Sequence, residues 1–154
     1  MPSSPKYSIL IHYSEIALKL KNRAHFETIF IQNIKIHMLT LKYSSIELKA
    51  ARVFIHDIEY SDWNRYKNRL KNIMGMQHAT LMLKTSRDID AIKDASEILI
   101  KNKSFESFRI SAKRNDKTFN YDTNDINKII GSHVQELSQS KVNLKHYALN
   151  IIIE

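Results

Sequence analysis

Residues 45–58 read SIELKAARVFIHDI, and this stretch decides the architecture of the first half of the chain. It divides near Ala50 into two runs of strand length, Ser45–Lys49 and Arg52–Ile58, the second largely apolar through Val53, Phe54 and Ile55. Two strands in immediate succession predict a hairpin rather than a strand–helix alternation. Upstream, Tyr7–Tyr13 (YSILIHY) is an apolar and aromatic strand. Asn22 stands where it can cap a helix whose apolar positions Phe26, Ile29, Phe30, Ile34, Met38 and Leu41 follow a period near 3.6. Downstream, Ser61 or Asp62 opens a short helix that turns Trp63, Tyr66, Leu70 and Ile73 inward. Gly75 is placed for a left-handed stop, and Ala79–Lys84 returns as a strand. The order strand, helix, strand, strand, helix, strand is the split βαβ pattern of a ferredoxin-like domain, here residues 1–84.

A polar, capping-type sequence at Thr85 and Ser86 begins a second domain, residues 85–154. Asp88–Asn102 reads as a helix with Ile89, Ile92, Ala95 and Leu99 inward. Ser107–Lys113 reads as a strand that sets Phe108, Ile110 and Ala112 on one face and Arg109, Ser111 and Lys113 on the other. Asp122 or Thr123 caps a further helix, with core positions Ile126, Ile129, Ile130, Val134 and Leu137. Gly131 lies inside that helix, where glycine costs about 1 kcal/mol relative to alanine and so suggests close packing or backbone approach. Ala148–Ile153 is a continuously apolar strand that calls for neighbours on both sides. The fold class is therefore α+β, a ferredoxin-like domain followed by a small α/β domain.

Composition narrows the chemistry. Across 154 residues there are 24 Lys and Arg against 16 Asp and Glu, a formal charge of +8. A surplus of this size favours a polyanionic partner, nucleic acid before anionic membrane. The absence of cysteine removes disulfides, thiolate metal sites and persulfide or cysteine-nucleophile chemistry. No apolar stretch approaches the roughly 18 residues of a membrane span and the first residues lack a signal-peptide core, so a cytoplasmic protein is expected. With two glycines and no GxxxxGK[ST], GxGxxG or GxSxG, neither a phosphate-cradling loop nor a catalytic site is expected. The seven histidines show no HxxxH pairing, and no metal site is expected.

Two clusters suit RNA. Glu15, Lys19, Lys21, Asn22 and Arg23 lead into the N-terminus of the first helix, where free backbone N–H groups, the dipole and the cations attract phosphate, Glu15 serving to orient Lys19 or Arg23. Lys113-Arg114-Asn115-Asp116-Lys117-Thr118-Phe119-Asn120-Tyr121 follows a strand and precedes a capped helix. Its cations can neutralise phosphates and Phe119 or Tyr121 can stack on an unpaired base, although Phe119 suits a core position and Asp116 a turn just as well. Arg65, Arg69 and Lys71 read as ordinary solvated helix positions.

The same residues carry a specific resemblance. Glu15-Ile16-Ala17-Leu18-Lys19-x-Lys21-Asn22-Arg23-x-x-Phe26-Glu27 resembles the motif that opens the tRNA 4-thiouridine synthetase (thiamine-biosynthesis sulfurtransferase, ThiI) family. Phe108-Arg109-Ile110-Ser111-Ala112-Lys113-Arg114-x-Asp116-Lys117-x-Phe119 looks like that family's THUMP signature, continued by Asp125-Ile126-Asn127-x-x-x-Gly131 and Val142-Asn143-Leu144-Lys145. Ser14, Leu20 and His146 depart from the family's usual glycines and proline. The resemblance implies a ferredoxin-like domain and a THUMP domain that hold the tRNA acceptor stem and 3′ CCA end for a PP-loop domain absent from this sequence. It adds Asn127 to the expected RNA-binding set of Lys19, Lys21, Asn22, Arg23, Arg109, Lys113, Arg114, Lys117 and Phe119. No cofactor is expected in this chain, ATP belonging to a separate PP-loop domain. Because the family's THUMP domain continues past the strand matching Ala148–Ile153, a shortened domain is expected, served by a PP-loop partner chain or by a remainder of the protein, with dimerisation through the edge of the last strand a further expectation. The competing expectation is a THUMP adaptor for another tRNA-modifying enzyme, a methyltransferase, deaminase or acetyltransferase.

Overall fold

Hairpin formation at Ala50 is the local event on which the first sheet is built. In a computed structural model that describes residues 6–14 and 21–154, β2 (Ser45–Lys49) and β3 (Arg52–Ile58) pair antiparallel from Ser45↔His56 to Lys49↔Arg52. Ala50 and Ala51 turn the chain with φ of 51° and 61°, the left-handed pair that a two-residue hairpin requires and that alanine tolerates poorly. β1 (Tyr7–Tyr13) lies between β3 and β4 (Met76–Leu83), antiparallel to both, so the sheet order is β2-β3-β1-β4. That is the split βαβ arrangement predicted from the order of elements.

Helices α1 (Arg23–His37) and α2 (Trp63–Leu70, preceded by a 3-10 turn Tyr60–Asp62) supply the apolar cover. Phe30 and Ile34 from α1 and Tyr66 and Leu70 from α2 are buried together with Ile9, Ile11, Val53 and Ile55 of the sheet. Each such side chain contributes about 1.5–3 kcal/mol. Polar bonds fix the helices: the Tyr66 hydroxyl donates to Lys42 O, and Arg69 donates to His37 O at 3.1 Å, closing the C-terminus of α1. Three expectations are corrected. Ile29 faces solvent and Trp63 is half-buried, both lying on the flank of their stripes. Asn22 does occupy the residue before α1, but its backbone (φ −103°, ψ 31°) does not turn its side chain onto the helix amides, and no side-chain cap forms.

The chain separates into two compact units, Met1–Lys84 and Thr85–Glu154. In the second, β5 (Ser107–Ala112) is the central strand of a three-stranded parallel sheet of order β6-β5-β7, with β6 (Lys141–Val142) and β7 (Leu149–Ile153) on either side. Helices α3 (Ile89–Ile100) and α4 (Thr123–Ser138) bury Ile92, Ile100, Ile126, Ile130 and Val134 against Phe108, Ile110 and Ile151. Asp88 caps α3, and Asp122 with Asp125 forms a reciprocal capping box on α4. β7 differs from expectation. Among the described residues it pairs with β5 alone, and its Leu149, Ile151 and Ile153 pack on the core while Ile152 is 52% exposed. Its unbroken apolarity therefore reflects one buried face and an exposed isoleucine rather than burial between two strands. Leu137 is also exposed, because the last turn of α4 carries it away from the core.

Candidate nucleic-acid interface

The loop after β5 is built by one carboxylate. Lys113 N–H extends the β5–β7 ladder by bonding Ile153 O at 2.8 Å, after which the strand ends. Asp116 Oδ1 then accepts from both the backbone N–H (2.9 Å) and the hydroxyl (2.6 Å) of Thr118, while Oδ2 accepts from Arg87 at 2.9 Å. These bonds, the Thr118 hydroxyl first, hold the Asp116 carboxyl below the usual carboxylate range. Asp116 is thus the turn former its sequence position suggested. With the turn fixed, Lys113, Arg114 and Lys117 stand exposed, and among the described residues none of them pairs with a carboxylate. Phe119 and Tyr121 are in ring contact at 5.8 Å and pack against the core of the unit, which gives both aromatics a structural role. Their outer edges, with Arg87, Asp116 and Thr118, line an open depression of about 390 Å³.

Alternation along β5 places Arg109 and Ser111 on the sheet face away from α3 and α4. Ser111 donates to Asn150 Oδ1 of β7 at 2.7 Å. The Arg109 guanidinium lies 5.7 Å from the Tyr147 ring centroid and reaches Leu144 O at 3.5 Å, both in the connection from β6 to β7. That connection passes over the start of β5, where Ser107 Oγ donates to His146 O and Ala148 N–H donates to Ser107 O. Asn143 Oδ1 accepts from the N–H groups of Lys145 and His146 and so sets the turn that presents Lys145. Tyr147 and Asn150 were not reached from residue type or spacing, because only the pairing of β7 with β5 brings them beside Arg109. Asn127 sits elsewhere. Projecting from α4, it accepts the Ala112 N–H with Oδ1 at 3.0 Å, on the helix side of the sheet.

In the first unit the cluster before α1 is only partly described. Lys19 and Glu15 lie outside the described residues; Lys21 and Asn22 are exposed. Arg23 does have an acidic partner, and it is Glu27 one turn along the helix: Arg23 Nε donates to Glu27 Oε1 at 2.6 Å, and the Tyr13 hydroxyl donates to the same oxygen at 2.9 Å. The Arg23 hydrogen bond, against the opposing effect of burial, holds the Glu27 carboxyl below its ordinary range, and burial together with Glu27 raises the Tyr13 hydroxyl. Arg23 is therefore held at the head of α1 with its remaining amines available to an anion.

Charge is unevenly divided. Residues 1–84 hold 13 Lys and Arg against 6 Asp and Glu, whereas residues 85–154 hold 11 against 10. In the second unit the acids concentrate on the helices (Asp88, Asp90, Asp94, Glu97, Asp122, Asp125, Glu136) and the cations on β5 and the loops around it. Among the described residues no three His, Cys, Asp or Glu side chains gather in a metal-holding group, and no helix is long and apolar enough to cross a membrane.

Residues 8–80 match the family described as the ThiI ferredoxin-like domain, and residues 86–154 match the THUMP domain. Three curated proteins named probable tRNA sulfurtransferase align along nearly the whole chain. Those of Listeria innocua, Mycoplasmopsis synoviae and Coxiella burnetii are 32%, 36% and 34% identical over 95%, 90% and 97% of it. The chain spans only 37%, 34% and 39% of their respective lengths. Among solved structures, the Pyrococcus horikoshii protein PH1313 superposes with a TM-score of 0.78, covering 96% of this chain and 51% of that one. A 4-thiouridine synthetase, crystallised with RNA and bound ATP, superposes with a TM-score of 0.76 over 96% of this chain and 38% of that one. Both are 21% identical, so they speak to the fold: a ferredoxin-like domain followed by a THUMP domain.

Proposed function

We propose, from the premise that the chain belongs to the ThiI family through its ferredoxin-like and THUMP domains, that it is a noncatalytic tRNA-binding module for 4-thiouridine synthesis. It would grip the acceptor stem and the 3′ CCA end and present the target nucleotide to a PP-loop sulfurtransferase domain. The observation that carries this reading is the loop of the THUMP unit in which Asp116 fixes the turn and leaves Lys113, Arg114 and Lys117 exposed together. Cations held on a structured loop lose less freedom on meeting phosphate than cations on a mobile one. Support also comes from the solved 4-thiouridine synthetase, whose crystal contains RNA and whose fold this chain shares.

In this proposal the work divides between charge and position. Arg109, held over Tyr147, and Lys113, Arg114 and Lys117 fix register on the sugar-phosphate backbone, a contact class that orients without reading sequence. Lys21, Asn22 and Arg23 at the head of α1 supply a second anion site on the other unit, with Lys19 as the further cation of that sequence cluster. Phe119 offers only its exposed edge to a base, and the Asn127 amide nitrogen is its free donor. Catalysis and ATP belong to the PP-loop part, the setting is the cytoplasm, and the free edge of β7 is where a second copy would pair.

The test is electrophoretic mobility of tRNA, intact and lacking CCA, at several salt concentrations. We expect binding that weakens when CCA is removed and a log-log salt slope that falls by about 2 when Lys113→Ala and Arg114→Ala are combined. Binding unaffected by both changes would defeat the proposal. A sizing column run on the free protein and on the complex reads the second copy.

A further inference from the structure

Between Asp62 and Asp88 the sequence holds no acid, and the stretch opens with α2. The three cations that read from sequence as ordinary helix positions differ in their surroundings. Arg69 turns back to His37 O, Arg65 pairs with Asp62 at 3.6 Å, and Lys71 stands exposed just past the helix. Tyr66 and Leu70 are fully buried, which fixes the rotation of α2. At 3.6 residues per turn the face opposite them is centred on Asn64 and Asn68, with Lys67 and Lys71 along one flank and Arg65 along the other, and all five are exposed. The helix dipole accounts for Lys67 and Arg69 in the last turn. It does not account for the amides. Asparagine is a weak helix former, so alanine at either position would hold α2 better, and Lys67 and Lys71, one turn apart, repel each other. These choices burden a helix of only eight residues.

We infer that α2 lies against the minor groove of a double-stranded RNA stem, Asn64 and Asn68 bonding ribose 2′-hydroxyls and the flanking cations meeting phosphates of the two strands. The assignment rests on the RNA-binding reading above. A 2′-hydroxyl both donates and accepts, as a carboxamide does, and the wide, shallow minor groove of A-form RNA presents these hydroxyls between its two backbones. A row of amides between two cationic flanks has the same order. Charge alone would admit any polyanion, whereas the amides give the helix a means of telling RNA from DNA. An acidic protein surface would answer the cations but gives no reason for the two amides at the centre of the face.

The experiment compares a blunt RNA duplex of the acceptor stem with a DNA duplex of the same sequence. Each is titrated against the unaltered protein, Asn64→Ala with Asn68→Ala, and Lys67→Ala with Lys71→Ala, with a thermal melt of every protein. The unaltered protein should prefer the RNA duplex. The asparagine pair should melt no lower, bind the RNA duplex about fivefold more weakly and bind the DNA duplex as before. The lysine pair should weaken binding of both duplexes and lower the log-log salt slope by about 2. Equal losses on RNA and DNA in the asparagine pair, or no loss on either, would show that α2 reads no 2′-hydroxyl and overturn the assignment. So would a lysine pair that binds both duplexes as the unaltered protein does. Binding of intact tRNA without binding of the blunt duplex would overturn it while the RNA-binding reading stands; failure to bind tRNA at all would sink both.

Discussion

The chain has two glycines, one in each unit, and they answer to opposite demands. Gly75, on the approach to β4, has φ of +90°, and a Cβ there would sit 2.9 Å from Phe26 Cζ and 3.3 Å from Phe26 Cε2. Backbone and packing both require it. Gly131 is helical with room for a methyl group, so neither requires it. The first unit uses glycine to complete its own fold; the second keeps one at a cost to its fold. A residue the fold would do better without is a pointer to something outside the fold.

Four measurements would break or sharpen this contrast. The largest effect is expected for Gly75→Ala, which should destabilise the first unit by about 1–3 kcal/mol through backbone strain and the Phe26 contact. Trp63 is the sole tryptophan and lies in α2, so denaturant melts followed by its fluorescence read that unit selectively. Gly131→Ala should move the other way, a gain of up to about 1 kcal/mol seen in the circular-dichroism melt with the tryptophan transition unmoved. A loss of stability there would erase the contrast.

A third change puts glycine where the backbone asks for it and the sequence does not supply it. Ala50→Asn combined with Ala51→Gly should stabilise the β2–β3 hairpin by about 0.5–1 kcal/mol, again in the tryptophan-monitored melt, because both positions are left-handed. Smallest is the pH effect at Glu27. Its carboxyl is held below the ordinary range, first by Arg23, so its contribution is complete at neutral pH and is lost as pH falls through the ordinary carboxylate range toward the lowered value. Since Arg23 is half exposed, this amounts to a few tenths of a kcal/mol. Glu27→Gln should flatten the acid limb of the stability profile by that amount; an unchanged limb would show that the pair contributes nothing.

Strands declared themselves most fully. β1, β2 and β3 begin and end where the strand-length runs and the break near Ala50 placed them, because a short apolar or β-prone run bounded by turn residues marks a strand directly in the chain. Helices gave their existence and capping acids but less of their depth. Leu137 and Ile29 satisfy a helical period yet face solvent, since a period shows direction and not how far the neighbouring layer extends. Asn22 has the right residue type for a cap and the wrong backbone. The two-residue β6 and the start of β4 at Met76 depend on pairing that no local pattern records. At the candidate interface the basic loop and Arg109 were legible from residue type and alternation. Tyr147 over Arg109 depends on residues brought together from elements far apart in sequence, and Tyr13 joins Glu27, the helical partner of Arg23, only across the first unit.

The position of β1 in its sheet bears on how the protein is made. β1 is synthesised before both of the strands it needs as neighbours, β3 and β4, and the last of these, ending at Leu83, follows some seventy residues later. The β2–β3 hairpin can close early on local contacts, while a growing chain carries β1 with one flank unpaired. Ribosome-stalled chains ending shortly before Met76 should therefore be the most readily cleaved by protease and the most prone to associate, and protection of the first unit should arise abruptly once Leu83 has emerged.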